Sequence, residues 1–269
     1  MTDVSSRSGA TWSANPALSE HFVETRLRPA PGRAAPMSVR GVSIKTLILL
    51  SVVVAGGAWG WASSASPVAG DVGEGYANTT VTIPGGFWLA GFGALLAGIF
   101  VVVDPRRARL LGGVYALCEG FCLGAISAAF DAQTDGIVGA AVLSTLGVFL
   151  AALGVYALGL IRPTSRLTFG VAAGIGGLCL LYLFVFVLSI FQWTWLFGDN
   201  LGAIGVIVTL LAIVLAALSL VLDLGAIDEG VRAGAPDDLE WYLAFGLVVT
   251  LVWLYIGILK LLALLARGR

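Results

Sequence analysis

The sequence predicts an all-α fold, a polytopic membrane helix bundle of about seven transmembrane helices, and three observations carry that prediction. The 269 residues are 58% hydrophobic and only 12% charged, with a mean hydropathy of +0.96. A soluble domain carries roughly a quarter charged residues, so this chain has too little polar surface to face water, whereas a bilayer is an apolar solvent. Second, seven apolar runs approach the roughly 20 residues that a helix needs to cross a hydrocarbon core about 30 Å thick. Third, the connections between them alternate between basic and acidic. The 36 glycines fit the same class, because glycine is commoner in transmembrane helices than in soluble ones.

Residues 1–41 are rich in Ser, Pro, Ala and Arg and show no apolar period. They read as a disordered cytoplasmic arm, leaving residues 42–269 as the transmembrane domain. The first run, Ile44 to Ala62, is too long for a signal-peptide core and is not followed by a small-x-small cleavage pattern, so it reads as a retained span. Six further runs follow: Pro84–Val103, Leu110–Phe130, Ile137–Ile161, Leu167–Ile190, Leu201–Leu224 and Trp241–Ala266. Spanning strands need only about 10 residues of alternating polarity, a pattern not seen here. Backbone groups in lipid must be paired internally, which leaves helices.

With the amino terminus inside, twelve of the 15 basic residues fall on inner segments. They are Arg7, Arg26, Arg28, Arg33, Arg40 and Lys45, then Arg106, Arg107 and Arg109, then Arg162 and Arg166, then Arg232. Only Lys260, Arg267 and Arg269 fall outside, where Asp71, Glu74, Asp131, Asp135 and Asp199 make the loops acidic. This is a positive-inside pattern and predicts a multi-pass protein of the cytoplasmic (plasma) membrane with a cytoplasmic amino terminus. The loop before the last run is acidic and its tail basic, so crossing and re-entry both stay open for span seven.

In span three, Gly112, Ala116, Gly120, Gly124 and Ala128 recur every fourth residue, with a shorter series at Ala90, Ala94 and Gly98 in span two. Small residues at this spacing let helix backbones approach, so the stripe reads as packing. Trp88, Trp193, Trp195 and Trp241 sit near run ends, where indole rings anchor at the interface.

Two carboxylates interrupt the apolar spans, and such residues usually face a partner or water. Glu119 lies mid-span in YALCEGFCLG, about 60° around the helix from Ala116, and therefore points into the bundle with Tyr115 one turn away. It reads either as a neutral acid tying helices together or as a proton or cation site. Asp223 lies in what the run boundaries make the last turns of span six, so a hydrated residue opening the acidic loop and a functional acid are both open. Asp228, Glu229, Asp237 and Asp238 follow, and would concentrate cations at an inner mouth.

Cys118 and Cys122 lack further ligands, since the single histidine, His21, is in the arm; they read as small buried hydrophobes, with no metal and no cofactor. Neither a P-loop nor a complete GxGxxG is present. A net charge of -1 argues against a nucleic-acid partner, and no hydrolytic arrangement is visible, so an enzyme is not expected. An intramembrane aspartyl protease would need Glu119 and Asp223 to share one site.

The stretch LSLVLDLGAIDEG, the acidic linker and EWYLAFGLVVTLVWLYIGILKLLALL resemble the carboxyl third of the Bax inhibitor (YccA-like) family. CEGFCLGAIS resembles the EG-x-x-LG-x-IS pattern of its bacterial branch, and SANPAL with MSVRGVSIKTLILL looks like the start of actinobacterial members. The resemblance covers nearly the whole chain. It implies six helices around a central seventh, a pH-dependent calcium leak in some members, and modulation of membrane proteases or stress responses in others. In leak-forming members an acid in span six and one in span seven share a proton. Asp223 matches the first, and the resemblance places the second at Gly257, with no basic residue in span two to pair with the span-six acid.

Three functions are thereby expected, in this order. The first is a pH-sensitive leak for calcium or protons through Asp223 and Glu119, where Glu119 replaces the missing acid. The second is a non-conducting regulator of a membrane protease or stress response. The third is a small-solute secondary transporter, placed last because no inverted repeat is visible. The lipid bilayer is the partner common to all three.

Overall fold

The computed structural model describes residues 36–67, 79–161, 163–190 and 201–267. Most of the amino-terminal arm, His21, Asp71, Glu74, Arg162, Trp193, Trp195 and Asp199 lie outside the described residues. The described chain forms seven helices: α1 (Val39–Ser64), α2 (Phe87–Val103), α3 (Ala108–Asp131), α4 (Ile137–Ala157), α5 (Ser165–Ile190), α6 (Leu201–Arg232) and α7 (Leu239–Arg267). A short antiparallel ladder, β1 (Ala65–Pro67) with β2 (Thr79–Val81), joins α1 to α2 with Ala65 opposite Val81. Six of the helices are long and apolar enough to cross a membrane, and α2, with 17 residues, is shorter. The chain is a multi-pass membrane protein.

Local chemistry explains where the helices depart from the apolar runs. α1 begins at Val39, ahead of the run, because the Ser38 hydroxyl accepts the Gly41 amide at 2.9 Å and caps the helix. α2 loses its first turn to a bend in which Phe87 N–H donates to Pro84 O at 2.9 Å. α4 stops at Ala157 rather than Ile161. Gly159 takes φ +66°, and the Leu160 amide reaches back to Val155 O at 3.1 Å, the Schellman pattern. Thr164 caps α5, its hydroxyl taking the Leu167 amide at 3.3 Å.

The largest correction concerns α6. The run GAIDEGVR reads as loop, yet the helix continues two turns beyond Leu224 to Arg232 and closes on Gly234 at φ +64°. The Arg232 guanidinium meets the Asp228 carboxylate at 2.6 Å one turn away, an i,i+4 pair that favours continued helix. Tyr156 of α4 donates to the same carboxylate at 3.1 Å.

α7 is the hub, packing chiefly against α6, α1, α4 and α3. α2 lies outside on α3, and α5 lies outside on α6, reaching α7 through Trp253 in the cluster around Val171, Leu178 and Leu222. α7 is one continuous helix of 29 residues, long and apolar enough to cross a membrane. The tightest pair is α1 with α3. Gly120 and Gly124 press on the carbonyls of Val53 and Gly57, and Gly56 and Gly60 press on those of Leu117 and Phe121, so no Cβ fits at these four positions. Gly112, Ala116 and Ala128 are buried on the same helix.

One end of the bundle gathers the exposed Arg40, Arg106, Arg107, Arg109, Arg166 and Arg232. It is called the basic end below.

Candidate functional site

Depth inside the bundle can be read from the basic end, where Lys45 of α1 and Arg109 of α3 lie 5.4 and 6.0 Å from the Trp241 ring of α7. At 1.5 Å per residue, Thr250 stands about 14 Å above that level and Glu119 about 15 Å.

Asp223 is on α6 at the level of Thr250, and only 1% of its surface is exposed. The Thr250 hydroxyl lies 2.7 Å from Asp223 Oδ2 and 3.2 Å from its own Gly246 carbonyl oxygen. Asp223 is therefore not at a helix end, because α6 continues to Arg232, and its side chain is buried in the bundle. On α7 the residue facing Asp223 is Thr250, not Gly257. Gly257 packs against Ile213, a Cβ there falling 3.0 Å from Ile213 Cγ1. The antiparallel pairing of α6 and α7 therefore sets Thr250, two turns earlier, across from the acid.

Glu119 is half-buried and makes no hydrogen bond or ion pair with another described residue. Tyr115 does not reach it; that ring meets Phe245 edge-on, with centroids 5.0 Å apart. Cys118 and Cys122 face α2, where a Cβ on Gly93 would sit 3.4 Å from Cys118 Sγ and Cys122 Sγ lies 3.6 Å from Phe87 O. Glu119 and Asp223 thus share a depth but lie on different helices, with Asp223 on the seam between α6 and α7. No hydrogen bond or ion pair joins them among the described residues.

A comparison of hydroxyl groups marks Thr250 out. Thr46, Ser51, Ser64, Thr145 and Thr209 all bond back to the carbonyl four residues earlier, which satisfies a hydroxyl in lipid locally. Thr250 reaches another helix, and so does Ser127, whose Oγ lies 2.7 Å from Tyr255 Oη between α3 and α7. Both cross-helix contacts involve the hub.

A scan against protein-family models matches residues 10–267 to the family described as Bax inhibitor 1 like. The chain belongs to that family. A search of curated proteins finds no match.

In this Bax inhibitor 1 like chain the four acids expected at an inner mouth divide. Asp228 belongs to α6 and is engaged by Arg232 and Tyr156. Glu229 is also helical and exposed, whereas Asp237 and Asp238 occupy the turn before α7. The Asp237 carbonyl oxygen accepts a hydrogen bond from Lys45 Nζ at 3.1 Å. That lysine pairs with Glu240, Nζ to Oε2 at 2.8 Å. Glu240 reads from the sequence as one more linker acid; only the placement of α1 beside α7 reveals its partner, 195 residues away in the chain. Among the described residues no group of three or more His, Cys, Asp and Glu side chains is gathered that could hold a metal ion.

Proposed function

We propose that the chain is a pH-sensitive cation leak, with calcium as its ion, across the cytoplasmic membrane, and that Asp223 is its control point. The observation that carries this reading is a carboxylate 1% exposed at mid-depth whose partner hydroxyl has a second acceptor. With Asp223 ionised, the Thr250 hydroxyl donates to Oδ2. With Asp223 protonated, the carboxyl donates to Thr250 Oγ1, and the threonine proton turns to Gly246 O. One proton thus reverses the hydrogen bond between α6 and α7 without leaving either group unsatisfied. A buried carboxylate usually faces a partner or a water path, and this one faces the seam between the hub and its closest neighbour.

In this reading the basic end is cytoplasmic, following the positive-inside rule, and α2 crosses as the seventh span, since 17 residues rise about 26 Å. Glu119 is a second station at the same depth. Glu229 and Asp238, both exposed, supply the negative field at the inner mouth, with Asp237 beside them and Asp228 offset by Arg232.

The test is calcium flux into proteoliposomes on the acid and alkaline sides of neutrality, for wild type and Asp223→Asn. The expected result is a flux that changes with pH in wild type and loses that dependence in the variant. Absence of flux above empty liposomes, with folding confirmed, rejects the leak. It would favour the second reading, a non-conducting regulator of a membrane protease, which the hydroxyl at Thr250 in place of a second carboxylate supports; a stoichiometric partner copurifying from native membranes would identify it.

A further inference from the structure

At the basic end, the residues leading into α1 run antiparallel to the connection between α6 and α7. Pro36 bridges Pro236, and the Met37 amide donates to Ala235 O at 2.8 Å. Beside this bridge the Glu240 carboxylate receives three donors: Lys45 Nζ at 2.8 Å, the Ser38 amide at 2.7 Å and the Ser38 hydroxyl at 3.3 Å. Its side chain is 7% exposed and that of Lys45 18%. Gly41 leaves the carboxylate its room, because a Cβ at that position would fall on Glu240.

We propose that Lys45 and Glu240 form a latch that holds the cytoplasmic end of the α6–α7 seam shut, and that the route past Asp223 opens when the pair parts. This rests on the leak reading. The latch lies at the turn that joins the two helices of the seam, where Lys45 also meets the Asp237 carbonyl oxygen. Glu240 opens the helix that carries Thr250 ten residues later, about 15 Å along its axis, and Asp237 and Ala235 belong to the turn leaving the helix that carries Asp223. The chemistry also suits release. A buried ion pair is a weak adhesive, since apolar residues of similar volume hold helices together as well or better. The surrounding cluster of Met37, Val42, Leu239 and Tyr242 shows that apolar packing was available. Ionised partners at the rim of the bundle can part into water, which an apolar contact cannot do at so small a cost. Lys45 and Glu240 are positioning residues: they act on the seam through the register of α7.

The experiment is a double-mutant cycle on the full chain in proteoliposomes, with Lys45→Met, Glu240→Gln and the two combined. Hydrogen exchange of the segment holding Met37 and Ser38 is read beside calcium flux. Each single variant should lose amide protection there and conduct roughly tenfold more at the pH where wild type is closed. The double variant should match a single one rather than multiply the two effects, and adding Asp223→Asn should remove the pH dependence of the released flux. Retained protection in the single variants would show that the pair does not hold the segment, and would overturn the latch. Lost protection with unchanged flux would make the pair a structural tie only, overturning the latch while leaving the leak intact. Absence of flux from every chain, the released variants included, would sink the leak and the latch together. A Glu240→Gln chain that folds poorly is replaced by Glu240→Asp, which keeps the charge and shortens its reach.

Discussion

The seam between α1 and α3 and the seam between α6 and α7 solve the same problem in opposite ways. In the first, glycines on both helices face carbonyls on the other, and backbone lies on backbone with no side chain between. In the second, side chains do the joining: Ile213 covers Gly257, Leu220 and Leu254 are fully buried, and a carboxylate meets a hydroxyl. A glycine seam has one geometry, because dispersion between backbones falls steeply when the gap opens. A side-chain seam has rotamers and protons to rearrange. The contrast assigns rigidity to the amino-terminal half of the bundle and adjustment to the hub and α6.

The largest expected effect breaks the rigid seam. Gly124→Leu puts a branched side chain where Gly57 O already lies. Over-packing of this kind costs about 1–3 kcal/mol where neighbours can shift, and a backbone carbonyl cannot, so thermal unfolding in detergent should show loss of the folded state. A folded Gly124→Leu chain of ordinary stability would erase the distinction. Thr250→Val comes next. It removes one interhelical hydrogen bond, worth roughly 0.6–2 kcal/mol in a membrane, so the chain should fold, lose that much stability and shift the pH at which flux changes. Loss of folding would mean that the side-chain seam is as intolerant as the glycine one. The smallest effect is expected outside both seams. Gly177 of α5 faces open space, and Gly177→Ala should change stability by less than about 1 kcal/mol, toward greater stability, because alanine is the better helix former.

Much of the fold is written locally and can be read without coordinates. An apolar run of the right length in lipid has one economical backbone conformation, and six long helices follow from that alone. What the runs do not contain is the chemistry of their ends. The cap at Ser38, the left-handed turns at Gly159 and Gly234, and the Asp228–Arg232 pair decide where helices start and stop. Each works through specific atoms that a hydropathy average discards. Asp223 is conspicuous in the sequence because a carboxylate among leucines is costly. Its partner is not conspicuous, since Thr250 differs little from the threonines that bond only to their own helix. Glu240 is harder still: an acid in an acidic linker looks hydrated, and only the return of α1 to its side, set by tertiary packing, makes it buried and paired.

Helix α7, which packs chiefly on four of the other six, is also the last of the seven to leave the ribosome. Until it arrives, the surfaces that α1, α3, α4 and α6 will turn toward it are uncovered, and Asp223 has yet to meet Thr250. The earlier helices have contacts of their own, α1 with α3 and α6 with α4 and α5, and α7 then closes on them. A chain lacking α7 would lose the surface on which α1, α3, α4 and α6 chiefly pack, and Asp223 would lose Thr250.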